Sequence, residues 1–421
     1  MGEQSVRTPI LAVCPLSLGM LVTWCNKIFV CRLNLIKTKE SDSMIINFNL
    51  KDCLIPIIAL IIFGCSNENG SSEDDILAFE PIDSLEIELP EEFLQFTSWT
   101  TYNRQGQQIL VEYGLGSNNS LVIHQVDFLS GKYLEPIVIP QQGPNGYNSS
   151  GASVYFKNRD SLFVFPSTSQ HFYLYSRSGE LLEKYAYNAS DNSKHNVSGY
   201  YSSAVFLNKR IFLPTVQFIS FDDPQIFTKS TPIRSFDFNS NQFIDSIPYP
   251  SYTKDKSITV DRLSPTIVAI NQDSLVINYR FSDSIYFWNP ATRRISSLYL
   301  SSDKLSKPKL FERYPDRTET LEFKIKEVDF ETVIHHNKCL YRIISHVDVD
   351  DKSLETYEIL QNNKRKMTLL EFDLETKTKR LYKLPIAKYF TFIDDYLYVG
   401  GISLREDGDK TLRTFYKYKL E

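Results

Sequence analysis

The chain has 421 residues, of which 42% are hydrophobic and 23% are charged, and its formal net charge at pH 7 is −5. This composition excludes the disordered and fibrous classes, and the lack of a basic excess argues against nucleic acid as a partner. Phe and Tyr are abundant, at 28 and 25 residues, whereas Met occurs only 4 times. Because aromatic residues suit a pleated, half-buried surface, the composition favours an all-β fold.

An apolar segment ends at Cys65 and is the strongest local signal. Cys53–Phe63 forms an apolar run of 11 residues, which suits the central region of a signal peptide and is too short for a membrane span. Its last residues and the next two, Ile62-Phe63-Gly64-Cys65, resemble the bacterial lipobox, although Phe63 is bulkier than that pattern usually has. The resemblance implies cleavage after Gly64, lipidation of Cys65 and a membrane partner reached through the lipid. Pro56 argues against a buried core helix here.

The segments around this signal give the domain organisation. A signal peptide belongs at the N-terminus, so we expect Met44 to be the true start, although the mildly apolar Pro9–Trp24 leaves a signal anchor as the alternative. Ser66–Asp75 is polar and acidic, which is typical of a flexible tether and resembles the surface-export signal of Bacteroidota lipoproteins. The predicted organisation is a non-native upstream extension (1–43), a lipoprotein signal peptide (44–64), a tether (65–82) and one folded domain (83–421). The predicted location is the outer membrane, with the periplasmic and surface faces both open.

The rest of the chain reads as short strands in groups of four. They alternate apolar and polar residues or form short aromatic runs, and turn residues separate them. In chain order the predicted strands are Ser84–Leu89; Phe96–Tyr102, Gln108–Tyr113, Ser120–Phe128, Tyr133–Ile139; Ser153–Phe156, Ser161–Phe165, His171–Tyr175, Leu181–Tyr187; Ser203–Leu207, Arg210–Val216, Ile233–Phe238, Gln242–Tyr249; Thr266–Ile270, Ser274–Tyr279, Ser284–Trp288, Ile295–Leu300; Glu331–His336, Cys339–Val347, Met367–Leu374, Lys379–Leu384; Tyr389–Ile393, Tyr396–Ile402 and Leu412–Tyr418.

Repetition of this unit predicts a six-bladed β-propeller with four-stranded blades. The last group has three strands and Ser84–Leu89 has no group, so we expect the N-terminal strand to close the ring. Paired sandwiches, a large barrel, and five or seven blades are the alternatives. Two polar insertions, 301–326 and 348–366, are predicted to lie on a propeller face, with a short helix at Lys304–Arg313 in the first.

Several of these features together resemble a known group of proteins. The lipobox, the Gly143-Pro144-Asn145-Gly146 segment, and the recurrent Asp-Ser-aliphatic and Tyr-x-aromatic blade patterns resemble an uncharacterised family of six-bladed β-propeller lipoproteins of the Bacteroidota. The resemblance implies architecture and location. It implies no catalytic residues.

Signals for catalysis and metal binding are weak. His335 and His336 are adjacent on a predicted strand and point to opposite faces, so together with His346 they do not form a metal site. The acidic run Asp348–Asp351 lacks the spacing of a calcium loop. No nucleophile elbow or phosphate-binding glycine pattern occurs in the sequence. We predict no cofactor, no metal and no catalytic residue, with a metal-dependent hydrolase similar to the gluconolactonase propellers as the alternative.

The tripeptide Asp-Ser-aliphatic recurs along the chain. Asp and Ser commonly end a turn before a strand, but the tripeptide also resembles the O-glycosylation sequon of the Bacteroidota. It predicts glycosylation at Ser84, Ser161, Ser246, Ser274 and Ser284.

The predicted function is that of a membrane-anchored module that binds a protein or a glycan. Its rings are numerous enough to line a binding face, and several Tyr residues lie in or beside segments between predicted strands. These are Tyr147, Tyr200, Tyr201, Tyr249 and Tyr252. A scaffold subunit of an envelope complex is a further alternative.

Overall fold

The fold was analysed in a computed structural model. It describes residues 76–89, 98–149, 151–166, 169, 171–186, 195–197, 204–217, 223 and 225–420. The predicted signal peptide and the predicted tether up to residue 75 lie outside the described residues.

Six antiparallel sheets of four strands form a six-bladed β-propeller, as predicted. Blades 1 to 3 contain β3 (Ser98–Arg104), β4 (Gln107–Leu115), β5 (Leu121–Asp127), β6 (Lys132–Ile139); β7 (Ala152–Phe156), β8 (Ser161–Pro166), β9 (His171–Ser176), β10 (Leu181–Ala186); and β12 (Val205–Leu207), β13 (Arg210–Gln217), β14 (Ile233–Asp237), β15 (Gln242–Ile247). Blades 4 to 6 contain β16 (Thr266–Asn271), β17 (Ser274–Asn278), β18 (Ser284–Asn289), β19 (Arg294–Tyr299); β20 (Asp329–His336), β21 (Cys339–Val347), β22 (Arg365–Asp373), β23 (Lys379–Leu384); and β24 (Ala387–Ile393), β25 (Tyr396–Asp407), β26 (Lys410–Lys419), β2 (Asp83–Glu88).

The ring is closed by the N-terminal strand. β2 is the outer strand of blade 6 and pairs with β26 over six residues, from Asp83 opposite Lys417 to Glu88 opposite Leu412. Two short strands extend other blades: β1 (Ile76–Leu77) adds in parallel to β23 of blade 5, and β11 (His195–Val197) pairs with β13 of blade 3. β1 lies within the segment predicted as a tether.

The hydrophobic core is divided into six layers, one between each pair of neighbouring blades. Each large cluster of buried apolar residues draws its members from two adjacent blades, and the sixth joins blade 6 to blade 1 through residues such as Phe415 and Val126. Ring stacking crosses these layers: Tyr102 and Phe156 stack between blades 1 and 2 with centroids 4.2 Å apart. Each blade therefore depends on both neighbours to bury its two faces.

Buried ions also join the blades. Arg413 of β26 pairs with Glu112 of β4, and the hydroxyl of Tyr389 donates to the same carboxylate at 2.7 Å. Between blades 4 and 5, the fully buried Arg342 donates to the side chain of Asn278 at 2.8 Å and lies over the ring of Phe330. A buried ion needs such complete pairing to offset its desolvation.

The two faces of the ring differ. Every inner strand begins at one face, where long connections enter and leave; we call it the loop face. The opposite face carries the short hairpin turns, such as 337–338 and 394–395, and we call it the turn face. Both insertions predicted from the sequence lie on the loop face.

The loop face carries the helices, but the predicted helix at Lys304–Arg313 is wrong. That segment contains Pro308, and Phe311 pairs instead with Ser257 in an isolated β-bridge. The described helices are α1 (Ile226–Lys229), α2 (Arg317–Lys326) and α3 (Thr356–Gln361). A capping box between Asp316 and Glu319 starts α2, and the helix then buries Phe323 and Ile325.

Replacement of Arg413 tests the buried junction between blades 6 and 1. Arg413→Ala leaves the Glu112 carboxylate buried without its cation, so we expect a loss of about 3–5 kcal/mol in the free energy of unfolding, measured in urea. Lys410→Ala is the matched control, because Lys410 lies on the same strand and its pair with Glu88 is exposed. The control should cost much less, because solvent screens an exposed pair. Equal losses in the two variants would contradict a structural role for the buried pair.

Candidate functional site

The central channel contains a cavity of about 320 Å³. Its described lining comes almost entirely from the inner strands β3, β16, β20 and β24, which belong to blades 1, 4, 5 and 6. Inner strands have no neighbour on the channel side, so their backbone edges and side chains are available to a bound molecule. The cavity size lies at the lower end of the range of about 300–1,000 Å³ that is usual for small-molecule sites.

Four residues lie at the channel mouth, namely Trp99, Thr266, Glu331 and Lys388, and the Thr266 side chain among them is buried and accepts a hydrogen bond from Asn278 at 3.0 Å. Each lies within the first three residues of its inner strand, which places all four near the loop face. The sequence analysis did not identify any of them. Only their position in the sequence could have identified them, because each lies within the first three residues of the first strand of its blade.

Trp99 presents a hydrogen-bond donor without a partner. Its ring packs against Tyr389 with the centroids 5.2 Å apart, which fixes the indole at the wall between blades 1 and 6. Among the described residues, the buried indole N–H has no hydrogen-bond partner. A buried donor that lacks a partner costs about 1–3 kcal/mol. Because the nitrogen is fully buried, an acceptor on a bound molecule would recover part of this cost only after a small shift of the indole.

Glu331 titrates close to neutral pH. Burial raises the pKa of its carboxyl to about 7, and the negative charge of Asp329 acts in the same direction. The Arg280 and Arg365 guanidinium groups and a hydrogen bond from Ser345 act in the opposite direction and are outweighed. The channel mouth therefore carries a carboxyl group that can donate or accept a hydrogen bond at physiological pH.

A buried ion pair supports Glu331 from the loop face. Arg280 forms a bidentate salt bridge with Asp329, in which Nε donates to Oδ1 at 2.9 Å and Nη2 donates to Oδ2 at 2.6 Å. Burial alone would raise the pKa of Asp329, but the positive charges of Arg280 and Arg262 outweigh it and hold the pKa below its usual value. Arg262 also donates to the Val328 carbonyl at 2.7 Å, which ties the start of β20 to the connection between blades 3 and 4.

Hydroxyl groups and rings complete the lining. The threonines of the cavity wall are Thr100, Thr101, Thr266, Thr332 and Thr391, and the rings include Phe390 and Phe392. His336 stacks on Phe392 with centroids 4.5 Å apart, toward the turn-face end of the channel. The described part of the wall is thus mainly neutral, and its mouth has one acid, Glu331, and one base, Lys388.

The three histidines considered as metal ligands do not converge. His335 and His336 line the channel near the turn face, whereas His346 is buried near the opposite end of β21 and shares a hydrogen bond with Thr368 at 2.9 Å. Burial lowers the pKa of His346 to about 4. In the described part of the chain, no group of three or more His, Cys, Asp or Glu side chains is arranged to hold a metal ion.

The five predicted glycosylation serines lie in strands with different exposure. Ser84 and Ser246 are exposed on outer strands, Ser274 and Ser284 are half-buried at strand starts, and Ser161 is buried. The Ser161 hydroxyl donates to the Asn158 side chain at 3.1 Å. The exposure favours Ser84 and Ser246, and modification at all five sites stays a prediction.

One copy of the tripeptide has a structural role as well. The Asp245 carboxylate is buried in β15, where it accepts a hydrogen bond from the Ser235 hydroxyl at 2.9 Å. Arg293 lies 3.0 Å away and Arg210 lies 3.3 Å away. This copy therefore belongs to the interior of blade 3 and not to a turn.

Of the five tyrosines proposed for a binding face, three are described, and two of those three are buried. Tyr147 is fully buried and donates to the Asn119 carbonyl at 2.9 Å, and Tyr249 is buried and donates to the Leu263 carbonyl at 2.9 Å. Tyr252 is exposed on the loop face. Tyr200, Tyr201 and the predicted lipidation site Cys65 lie outside the described residues.

A second cleft, of about 490 Å³, lies on the turn face between blades 5 and 6. It contains Cys339, which is a half-buried free thiol 3.7 Å from the carboxylate of Glu371. The hydroxyl of Tyr382 donates to the other oxygen of Glu371 at 2.8 Å. Burial raises the pKa of Cys339, so the thiol stays protonated and acts as a packing and hydrogen-bonding group.

Comparison with solved structures shows the same fold in bacterial proteins. A member of the DUF4221 family from Bacteroides vulgatus superposes with a TM-score of 0.61 at 16% identity, over 81% of this chain and 98% of that one. A protein of Bacteroides fragilis named as a candidate exported protein superposes with a TM-score of 0.48 at 12% identity, over 80% of this chain and 95% of that one. The likeness to the first of these structures, at 16% identity, shows the fold alone.

Other comparisons find no relative. No protein-family model matches the chain, and a search of curated proteins finds no match.

Among the described helices, none is both long and apolar enough to cross a bilayer.

The Glu331→Gln variant tests whether the pKa of the Glu331 carboxyl is raised in the folded protein. The folded pKa of about 7 exceeds the unfolded value of about 4.3, so the folded state retains a proton that the unfolded state loses. This contribution to stability is complete below about pH 4 and is lost as the pH rises through about 7. Relative to the wild type, we expect the variant to gain almost nothing at pH 4 and about 3–4 kcal/mol at pH 8 in the free energy of unfolding.

The exposed helix residue Glu322 provides the control for that titration. Glu322→Gln should follow the wild type across the pH range, within about 0.5 kcal/mol. A Glu331→Gln curve parallel to the wild type would show that Glu331 ionises normally.

Proposed function

We propose that the protein is a lipid-anchored binding module of the bacterial envelope and that its channel mouth takes a hydroxylated ligand, a glycan. The observation that supports the ligand class best is the unpartnered Trp99 indole N–H in a wall of threonine hydroxyls. Anchoring rests on the lipobox resemblance that ends at Cys65.

The chemistry of the wall suits a sugar. Sugar hydroxyls can accept from the Trp99 indole and exchange hydrogen bonds with Thr100 and Thr332, because each hydroxyl both donates and accepts. The faces of aromatic rings contact the apolar C–H surface of a sugar. Glu331, with a pKa near 7, can serve as donor or acceptor to the same ligand.

The electrostatic arrangement favours a neutral or zwitterionic ligand over a strong ion. Glu331 has Asp329, Arg280 and Arg365 as its charged neighbours, whereas burial lowers the pKa of Lys388, with Glu112 opposing that shift. Opposite charges therefore occupy different parts of the mouth. A ligand with a single strong charge would be repelled by the mouth residue that carries a charge of the same sign.

A pair of tryptophan variants tests the binding site. The purified protein is screened on a glycan array, and the affinity for the best-bound glycan is measured by titration calorimetry. Loss of the ring in Trp99→Ala should weaken binding by about tenfold or more, and loss of only the N–H in Trp99→Phe by about threefold to tenfold.

Trp288→Phe is the matched control. Trp288 in β18 also has a buried indole N–H without a partner among the described residues, but it lies outside the channel lining. The control should bind as the wild type does. A protein that binds no glycan on the array, or a glycan whose affinity is unchanged in Trp99→Ala, would contradict this site.

A further inference from the structure

The described chain begins on the outer wall of the propeller. Ile76 and Leu77 of β1 pair with Leu381 and Tyr382 on the outer strand of blade 5. Phe79 then fills the groove between blades 5 and 6, with ring centroids 4.9 Å from Tyr382 and 4.6 Å from Tyr418. The segment is therefore held against the wall, and the preceding chain leaves from a fixed point.

The direction of β1 indicates the face from which the chain arrives. β23 runs from the turn face to the loop face, and β1 is parallel to it. The chain thus enters Ile76 from the side of the turn face. Only ten residues, 66–75, separate Cys65 from Ile76. Ten residues span at most about 33–36 Å even when they are fully extended.

The loop face of blade 5 is farther from this point. α2 and α3 add a helical layer there, about 10 Å thick. The two connections that form this layer, 301–328 and 348–364, together carry 11 acidic and 9 basic residues, so they do not share the basic excess of the turn face. For the loop face to lie on a bilayer, the tether would have to run from the turn-face side of β1 past this helical layer to reach the lipid.

The turn face carries an excess of basic residues. Its eleven described hairpin turns, each with the strand residue on either side, contain 12 Lys or Arg and 9 Asp or Glu. In the whole chain the balance is reversed, with 46 basic and 51 acidic residues. An anionic lipid surface attracts the turn face and repels the remainder of the molecule.

We propose that the turn face is the membrane-facing surface and that the channel mouth is directed away from the bilayer. The inference rests on the lipid anchor of the proposed function and adds the orientation of the anchored propeller. The surface partner is an anionic phospholipid membrane. The orientation leaves the channel mouth open to ligands from the surrounding medium.

Two single-cysteine variants of the lipidated full chain test this orientation. Both carry Cys339→Ser; one adds Thr292→Cys in an exposed turn of the turn face, and the other adds Ser117→Cys in an exposed connection of the loop face. Each is labelled with a fluorophore and reconstituted into vesicles of phosphatidylethanolamine and phosphatidylglycerol that contain a quenching lipid. The labels are about 25 Å apart along the strand direction, so we expect about threefold stronger quenching at Thr292→Cys.

The outcomes separate the orientation from the anchor. A full chain that fails to float with vesicles, with Cys65→Ser as reference, overturns the lipid anchor. A chain that floats but shows equal quenching at the two positions, or stronger quenching at Ser117→Cys, overturns the orientation and leaves the anchor in place. A photo-crosslinker at position 292 in intact cells should yield lipid adducts, and protein adducts alone would overturn the membrane as the partner of this face.

Discussion

Closure of the ring is the constraint on which the rest of the structure depends. Each blade buries both faces only against its neighbours, so an open ring would expose an apolar layer at each end. The first strand of the domain prevents this by pairing with β26 in the last blade. The buried pair of Glu112 and Arg413 lies at the same junction. Residues that are distant in the sequence thus stabilise the junction between blades 6 and 1.

A closed ring also explains why the candidate site lies in the channel. Inner strands are held rigidly by the layers on both sides, so side chains such as Trp99 and Glu331 are fixed relative to one another even though they are far apart in the sequence. The turns on one face are short, whereas the other face carries α2, α3 and the long connections. Rigid walls and variable connections together form a binding site on a common scaffold.

Much of the fold could be predicted because it depends on local patterns. Alternating and aromatic runs separated by turn residues located the strands, and the three-stranded last group indicated closure by Ser84–Leu89. The helix predicted at Lys304–Arg313 is absent, since Pro308 interrupts the segment, and the helix of this insertion is instead α2. The capping signal Asp316–Glu319, which does start α2, was present in the sequence and was overlooked.

The candidate site could not be predicted in the same way. Trp99, Glu331 and Lys388 come from three blades and share no local motif, so only the closed ring shows that they meet. The raised pKa of Glu331 depends on burial and on Asp329, neither of which is visible in a strand pattern. Tyr147 and Tyr249, two of the five tyrosines selected because they lie in or beside segments between predicted strands, serve the core because their hydroxyls donate to backbone carbonyls inside it.

Amide hydrogen exchange of the closing strands tests the central role of closure most directly. If closure holds the whole ring, amides of β2 and β26 exchange only through global unfolding, with the same free energy as amides of β21 and β22 in blade 5. Exchange of β2 and β26 at a much lower free energy, with blade 5 still protected, would show that the junction opens by itself and would contradict the account.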